Sequence, residues 1–244
     1  MAQLKNLPLF NDAALQAYYE FNQNLNNSSP VNNVGNANLA QHGSDFSYVA
    51  NIIYEYCGYS VNGGVYFTAV GSPGLPFNCQ AGLGVGGWFY PTAVPGSGTE
   101  YSLFEFANGN QQNRIWVTYL NNAGTYQFSN VWSATGRQDH IFTYNLPNNT
   151  PLGLRPHHIF VNFDGGNTNN MTLFIDGLPV MTNNISPVQN GNSGNDNGFY
   201  ILFDPNGGSF PSYFGDIVYF SRILTNSEVS ELAANGAPLF FQQF

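Results

Sequence analysis

Short runs of β-branched and aromatic residues dominate this chain, and clusters of Gly, Pro, Asn and Asp separate them. The runs are "GGVYFTAV", "GVGGWFYP", "YSLFEFA", "RIWVTYL", "GTYQFSNVW", "HHIFVNF", "MTLFIDG", "FYILFD" and "GDIVYF". Such spacing predicts an all-β sandwich or barrel. In "RIWVTYL", Ile115, Val117 and Tyr119 share one face while Trp116, Thr118 and Leu120 share the other, as strand alternation requires. Both faces carry apolar bulk, so this strand is expected to lie centrally with both sides covered. The Asn- and Gly-rich pieces "NNSSPVNNVGNAN", "NFDGGNTNN" and "VQNGNSGNDNG" read as loops, because both residues accept positive φ at little cost. No linker or internal repeat divides the 244 residues, a length that single all-β domains reach.

Charge narrows the function classes. Only 8% of residues are charged, and 5 Lys and Arg stand against 14 Asp and Glu for a net charge of -9. A phosphate backbone needs clustered cations, so neither nucleic acid nor a polybasic membrane contact is expected. No apolar run approaches the roughly 20 residues of a membrane span, so no membrane insertion is expected. The opening "MAQLKNLPLFNDAAL" has no unbroken apolar stretch of the kind a signal peptide carries. Cys57 and Cys79 could join in one disulfide or remain two buried thiols, and sequence alone leaves both open.

One helix is expected near the C-terminus, in "RILTNSEVSELAANG". Thr225 as N-cap and Glu228 three residues later form a capping box, and Leu224 can staple onto Val229. Val229, Leu232 and Ala233 share a face, and Gly236 supplies a left-handed stop. A helix this short needs packing to persist, so it should cover part of the sandwich.

Here the chain resembles a family. "YFGDIVYFSRILTNSEVSEL" is similar to the closing segment of laminin-G-like, concanavalin A-type jelly-roll domains, in Gly215, Ile217, Arg222, Leu224, Thr225, Glu228, Val229 and Leu232. "LRPHHIFVNFDGGNTNNMTLFIDGLPV" resembles the family's central hairpin in His158, Phe163, Asp164, Gly165, Leu173 to Gly177 and Val180, with Pro156 replacing the usual tryptophan. "LGVGGWFYP" matches another family strand at Trp88 and Pro91, and "ALQAYYEFNQNLNNSS" resembles the opening one. The resemblance spans about residues 13 to 235. It implies a jelly-roll sandwich of two antiparallel sheets with one short C-terminal helix, over residues 13–236. Residues 1–12 then form an N-terminal extension and 237–244 an apolar tail.

Fold does not fix function, because this superfamily includes lectins, adhesion modules, virion proteins and glycoside hydrolases. Retaining glycosidases need two carboxylates about 5 Å apart. Glu100 and Glu105, five apart, should point to opposite faces of a regular strand, so no catalysis is expected. The family often holds calcium at the rim of the sandwich, and Asp204, Asn206 and Asp216 are the oxygen donors that could serve here. Asp164-Gly165 and Asp176-Gly177 read as turns. His157 and His158 match strand-opening residues rather than a metal pair, and Trp88 a packing tryptophan. Tyr126, Trp132 and His140 lie in or beside the longest stretch without a family match. As exposed aromatics they would suit a sugar, and as strand residues they would belong to the core.

Both ends, "MAQLKNLPLFN" and "APLFFQQF", are apolar. Leu239, Phe240, Phe241 and Phe244 are expected to pack either on this domain or on a neighbouring subunit. The reading is a non-enzymatic recognition or adhesion module, working outside the cell or on a virion, with a glycan or cell-surface polymer as partner. The alternative is a structural subunit of a virion or filament that joins copies of itself or other subunits through its apolar termini.

Overall fold

A computed structural model describes residues 6–21, 23–30, 38–44, 46–50, 56–60, 65–69, 82–107, 114–133, 140–164, 170–184, 198–202 and 210–240. After a 3-10 turn at Pro8–Asn11 come β1 (Leu15–Tyr19), β2 (Ala40–His42), β3 (Phe46–Ala50), β4 (Tyr56–Ser60) and β5 (Tyr66–Ala69). Next are β6 (Leu83–Pro91), β7 (Glu100–Ala107), β8 (Arg114–Asn122), β9 (Thr125–Ser133) and β10 (His140–Asn145). Then β11 (His157–Asp164), β12 (Asn170–Ile175), β13 (Leu178–Asn184), β14 (Gly198–Ile201) and β15 (Ser212–Phe220) lead into helix α1 (Asn226–Phe240). One sheet is eight-stranded, in the order β13-β12-β11-β6-β15-β4-β3, with β1 also paired to β15. The other is seven-stranded, β10-β9-β8-β7-β14-β5-β2. The strand pairs are antiparallel in both. This is the sandwich expected from the sequence, with β8 inside its sheet as its two-faced pattern required.

The main core lies between the sheets. Val85, Phe89, Ile159, Val161 and Ile217 from one face meet Phe67, Val117, Tyr119, Phe128 and Phe199 from the other. A second core lies on the outside of the eight-stranded sheet. There Phe160, Phe174, Val218 and Phe220 are covered by Leu7, Leu9 and Phe10 from the N-terminal segment and by Leu224, Val229 and Leu232 from the helix end. Leu7, Leu9 and Phe10 are therefore part of the fold rather than of an extension from it. At that end the surface the apolar residues join is the chain's own sheet, because Phe160 and Phe220 would otherwise face water.

The glycines of "GVGGW" have a steric cause. Phe160 lies across the neighbouring strand, so a Cβ on Gly86 would sit 2.3 Å from its ring and 2.6 Å from the Ile159 carbonyl oxygen. On the opposite face, a Cβ on Gly87 would meet Ile217 at 2.3 Å. The "DG" of the β12–β13 hairpin also has a defined role. Ile175 pairs with Leu178 across a two-residue loop, with Asp176 at φ 52° and Gly177 at φ 79°, which are the signs of a type I′ turn. The helix seats on this turn, Ser230 Oγ donating to the Gly177 carbonyl at 2.8 Å.

The capping box is present. The Glu228 amide donates to Thr225 Oγ1 at 3.2 Å, and the Thr225 amide donates to Glu228 Oε2 at 2.7 Å. Asn162 clasps the preceding turn, its Nδ2 donating to the Leu224 carbonyl and its Oδ1 accepting from the Leu224 amide. Arg222 bridges the two chain ends, donating to Asp12 and to Glu228. The helix does not stop at Gly236 but continues to Phe240. Glycine disfavours a helix interior by only about 1 kcal/mol, too little to impose a stop. Leu239 and Phe240 thus belong to α1, whereas Phe241 and Phe244 lie outside the described residues.

Two outcomes are expected. Gly86→Ala should lower stability by about 1–3 kcal/mol through overpacking, because the carbonyl it meets cannot rotate away; chemical denaturation checks this. The hydrogen bonds from Arg222 hold the Glu228 carboxyl down at a pKa of about 2 from an ordinary 4.5. Its folded value is depressed, so the stabilisation is whole above about 4.5 and disappears as pH falls through about 2. Glu228→Gln should be less stable than the native chain at neutral pH and lose less further stability across that window in acid titrations followed by circular dichroism.

Candidate functional site

The second core covers part of the outer face of the eight-stranded sheet. On the outer face of the seven-stranded sheet Ser102, Glu105, Thr118 and Thr68 are buried, while His42, Tyr66 and Tyr200 keep accessible surface. Val117, Tyr119, Phe199, Ile201, Phe67 and Ala69 turn into the core, so alternation sends Thr118, Tyr200, Tyr66 and Thr68 outward. Helix α1, the only α-helix among the described residues, packs on β11 and β13 of the other sheet.

The glutamates of β7 belong to this face. A bulge between Ser102 and Phe104 shifts the register, so that Glu100 pairs with Leu120, Ser102 with Thr118 and Glu105 with Trp116. The extra residue reverses the alternation, and both Glu100 and Glu105 lie on the outer side. The opposite-face expectation fails for this reason: it assumed a regular strand. Their partners on β8 are four residues apart, about 13 Å of strand, far beyond the ~5 Å of a retaining carboxylate pair. Glu100 Oε1 accepts a hydrogen bond from Thr118 Oγ1 at 2.7 Å. Glu105 is fully buried.

Across the sheet from Glu105 runs a polar and aromatic row. Glu105 pairs with Tyr200, Tyr200 with Thr68, and beside them Tyr66 pairs with His42. The His42 and Tyr66 rings stack with centroids 4.6 Å apart and planes 8° from parallel, and His42 Nε2 lies 3.0 Å from Thr68 Oγ1. His42 is exposed, while Tyr66 and Tyr200 are half-buried. From β2 to β7 the row crosses roughly 14 Å at a strand spacing of ~4.8 Å. Burial raises the Tyr200 pKa, and the negative charge of Glu105 raises it further, as does Tyr66. The accessible part of this row is the flat rings of His42, Tyr66 and Tyr200 with their polar tips, a combination that holds a polyhydroxylated ring by stacking and hydrogen bonds.

The sequence-derived candidates are placed as follows. Trp132 and His140 are cross-strand partners at one end of the β9–β10 hairpin. Tyr126 is six residues along β9 from Trp132, about 20 Å away, and packs partly buried against the core. The three do not form one constellation. Asp216 sits at a bulge within β15 rather than in a loop, at φ 52° and buried, with its Oδ1 accepting from Tyr18 Oη at 2.6 Å. Asp204 and Asn206 lie outside the described residues, as does Cys79. Among the described residues, no three His, Cys, Asp or Glu side chains group as a metal site. His157 and His158 face opposite sides of β11. His158 packs on Trp88, with centroids 5.2 Å apart, and burial pushes its pKa down to about 4 against the raising pull of Asp176.

Comparison with known proteins agrees with this architecture. The sequence profile of the concanavalin A-like lectin/glucanases superfamily matches residues 62–230, more than half of the chain. The chain belongs to this superfamily. No curated protein sequence is significantly similar. Among solved structures, the binding domain of botulinum neurotoxin DC in complex with SialylT superposes with a TM-score of 0.69 at 10% identity, over 92% of this chain and 52% of that one. The receptor binding domain of the botulinum neurotoxin C/D mosaic serotype gives 0.64 at 14% identity, over 91% and 51%. Domain 4 of AbnA, an extracellular GH43 arabinanase from Geobacillus stearothermophilus in complex with arabinotriose, gives 0.60 at 16% identity, over 90% and 98%. The chain thus spans about half the length of the toxin domains, and identities this low establish the fold alone. No helix among the described residues is long and apolar enough to cross a membrane.

The Tyr200–Glu105 pairing has a measurable signature. Glu105→Gln should bring the Tyr200 pKa down towards the ordinary 10.0, because the charge that opposes phenolate formation is removed. Tyrosine-selective NMR titration checks this.

Proposed function

We propose that this protein is a non-catalytic carbohydrate-recognition module, and that the outer face of its seven-stranded sheet receives the glycan. The observation that carries the reading is the row Glu105, Tyr200, Thr68, Tyr66 and His42, assembled from β7, β14, β5 and β2 on the face that no helix covers among the described residues. The rings of His42, Tyr66 and Tyr200 offer stacking surfaces, and their imidazole and phenol groups bond to sugar hydroxyls, while Glu105 and Thr68 are buried members of the row. Two similar folds were solved with SialylT and with arabinotriose, which supports a carbohydrate as partner without naming one. The long separation of Glu100 and Glu105 supports binding over hydrolysis. The module acts at a surface outside the cell or on a particle, where such recognition serves adhesion. Calcium on Asp204 and Asn206 is an adjunct to this proposal; Asp216, buried in β15 and bonded to Tyr18, is not one of its ligands.

Glycan-array binding of the whole chain tests the reading. Tyr200→Ala and Tyr66→Ala should each weaken binding to the best array ligand by about tenfold or more, equivalent to ~1.4 kcal/mol of lost contact. The fold should persist in both variants, because neither ring fills the inter-sheet core. Full retention of binding in both would remove the sheet face as the site.

A further inference from the structure

A second place on the molecule has the form of a small-ligand site. At the edge of the sandwich away from β2, where β10 of one sheet meets β12 and β13 of the other, lies an open cavity of about 380 Å³. That volume is in the range of small-molecule pockets. Its walls are mostly apolar: Tyr144, Leu146, Pro147, Pro151, Ile175 and Val180 contribute to them. Its polar part is a charged cluster around the type I′ turn.

The hydrogen bonds of that cluster decide what it can accept. Asp176 Oδ1 takes the His158 amide at 3.0 Å, and its Oδ2 takes His157 Nδ1 and Arg155 Nη2, each at 3.0 Å. Burial pushes the Asp176 pKa up, but these hydrogen bonds and the neighbouring charges outweigh it and hold the carboxyl below its usual range. The carboxylate therefore has little accepting capacity left for a ligand. Arg155 is the reverse case. Of its five N–H donors, one meets Asp176, and another reaches the Pro156 carbonyl only at 3.4 Å. Its side chain is 64% exposed. The other arginine with a described side chain, Arg222, is held by both Asp12 and Glu228. In a chain of net charge -9, Arg155 is thus the described cation with donors to offer, at the rim of an apolar cavity.

We infer that this cavity binds an acidic sugar residue, with its carboxylate on Arg155 and its apolar face or acyl group against Tyr144 and the proline wall. The ligand class rests on the carbohydrate reading given above, but the place and the chemistry are separate from the sheet face. Arginine meets a carboxylate through paired, charge-assisted hydrogen bonds.

The test is an NMR titration of the 15N-labelled whole chain with three probes: the methyl α-glycoside of N-acetylneuraminic acid, the methyl ester of that glycoside, and hexanoate. The acid should move the amides of Gly153, Arg155, Asp176 and Leu178, and the uncharged ester should bind about tenfold more weakly. Arg155→Gln should reduce the acid to the level of the ester and leave the ester unchanged. Equal binding of acid and ester, or hexanoate matching the acid, would overturn the inference. So would an absence of shifts at the cavity. Shifts confined to Tyr66 and Tyr200 would do the same while leaving the sheet-face reading intact, and that reading falls only with its own variants.

Discussion

The eight-stranded sheet carries an apolar patch on its outer face as well as an apolar inner face, and covering that patch places both the N-terminal segment and the helix. Its inner face meets the second sheet, as in any sandwich. Its outer face carries Phe160, Phe174, Val218 and Phe220, which the second sheet cannot reach. The chain brings its two ends to that face: a 3-10 segment bearing Leu9 and Phe10, and the base of α1 bearing Val229 and Leu232. Arg222 holds the two covers together by binding an acid from each. A single capped helix in an otherwise β protein is therefore half of a lid. The other half is the N-terminal segment, which the sequence reading set apart as an apolar extension.

How much of this was legible depends on whether the decisive interactions are local. The capping box needs only Thr225 and Glu228, three residues apart, and the hairpin turn only Asp176 and Gly177, so both could be read directly. The lid over Phe160 joins residues 7–10 to 160 and 229–232, and no periodicity in the sequence connects them. The same holds for the glycines of β6, whose cause is a ring on another strand. β2 has three residues, Ala-Gln-His, too few to carry a strand pattern; β3 and β4 carry aromatic residues that the sequence reading passed over.

The candidate site was harder to read than the fold for the same reason. His42, Tyr66, Glu105 and Tyr200 become neighbours only across strands, in a sheet whose order β7-β14-β5-β2 is itself non-sequential. The bulge at Ser102 to Phe104 has no glycine or proline to announce it, yet it decides which face Glu105 occupies. Sequence reasoning instead favoured Tyr126, Trp132 and His140, which share a stretch of chain. Proximity in sequence was a poor guide, because β9 is long enough to carry Tyr126 and Trp132 to different ends of the sandwich.

The asymmetry between the sheets is what links the fold to recognition. The second core closes part of one sheet's outer face, and the other sheet's outer face keeps His42, Tyr66 and Tyr200 accessible among buried polar neighbours. On that face the acid nearest the aromatic rings, Glu105, is buried beneath its neighbours rather than projecting from them. Burial of Tyr200 and then the charge of Glu105 raise the phenol's pKa further above its ordinary value. An acid that must give up or accept a proton from a substrate oxygen needs direct reach to it, and a partner carboxylate near enough to share the work. Glu105 has its nearest strand-mate, Glu100, some 13 Å along the sheet, already bonded to Thr118. The geometry on which the proposed sugar contact rests does not supply the carboxylate pair that cleavage would need.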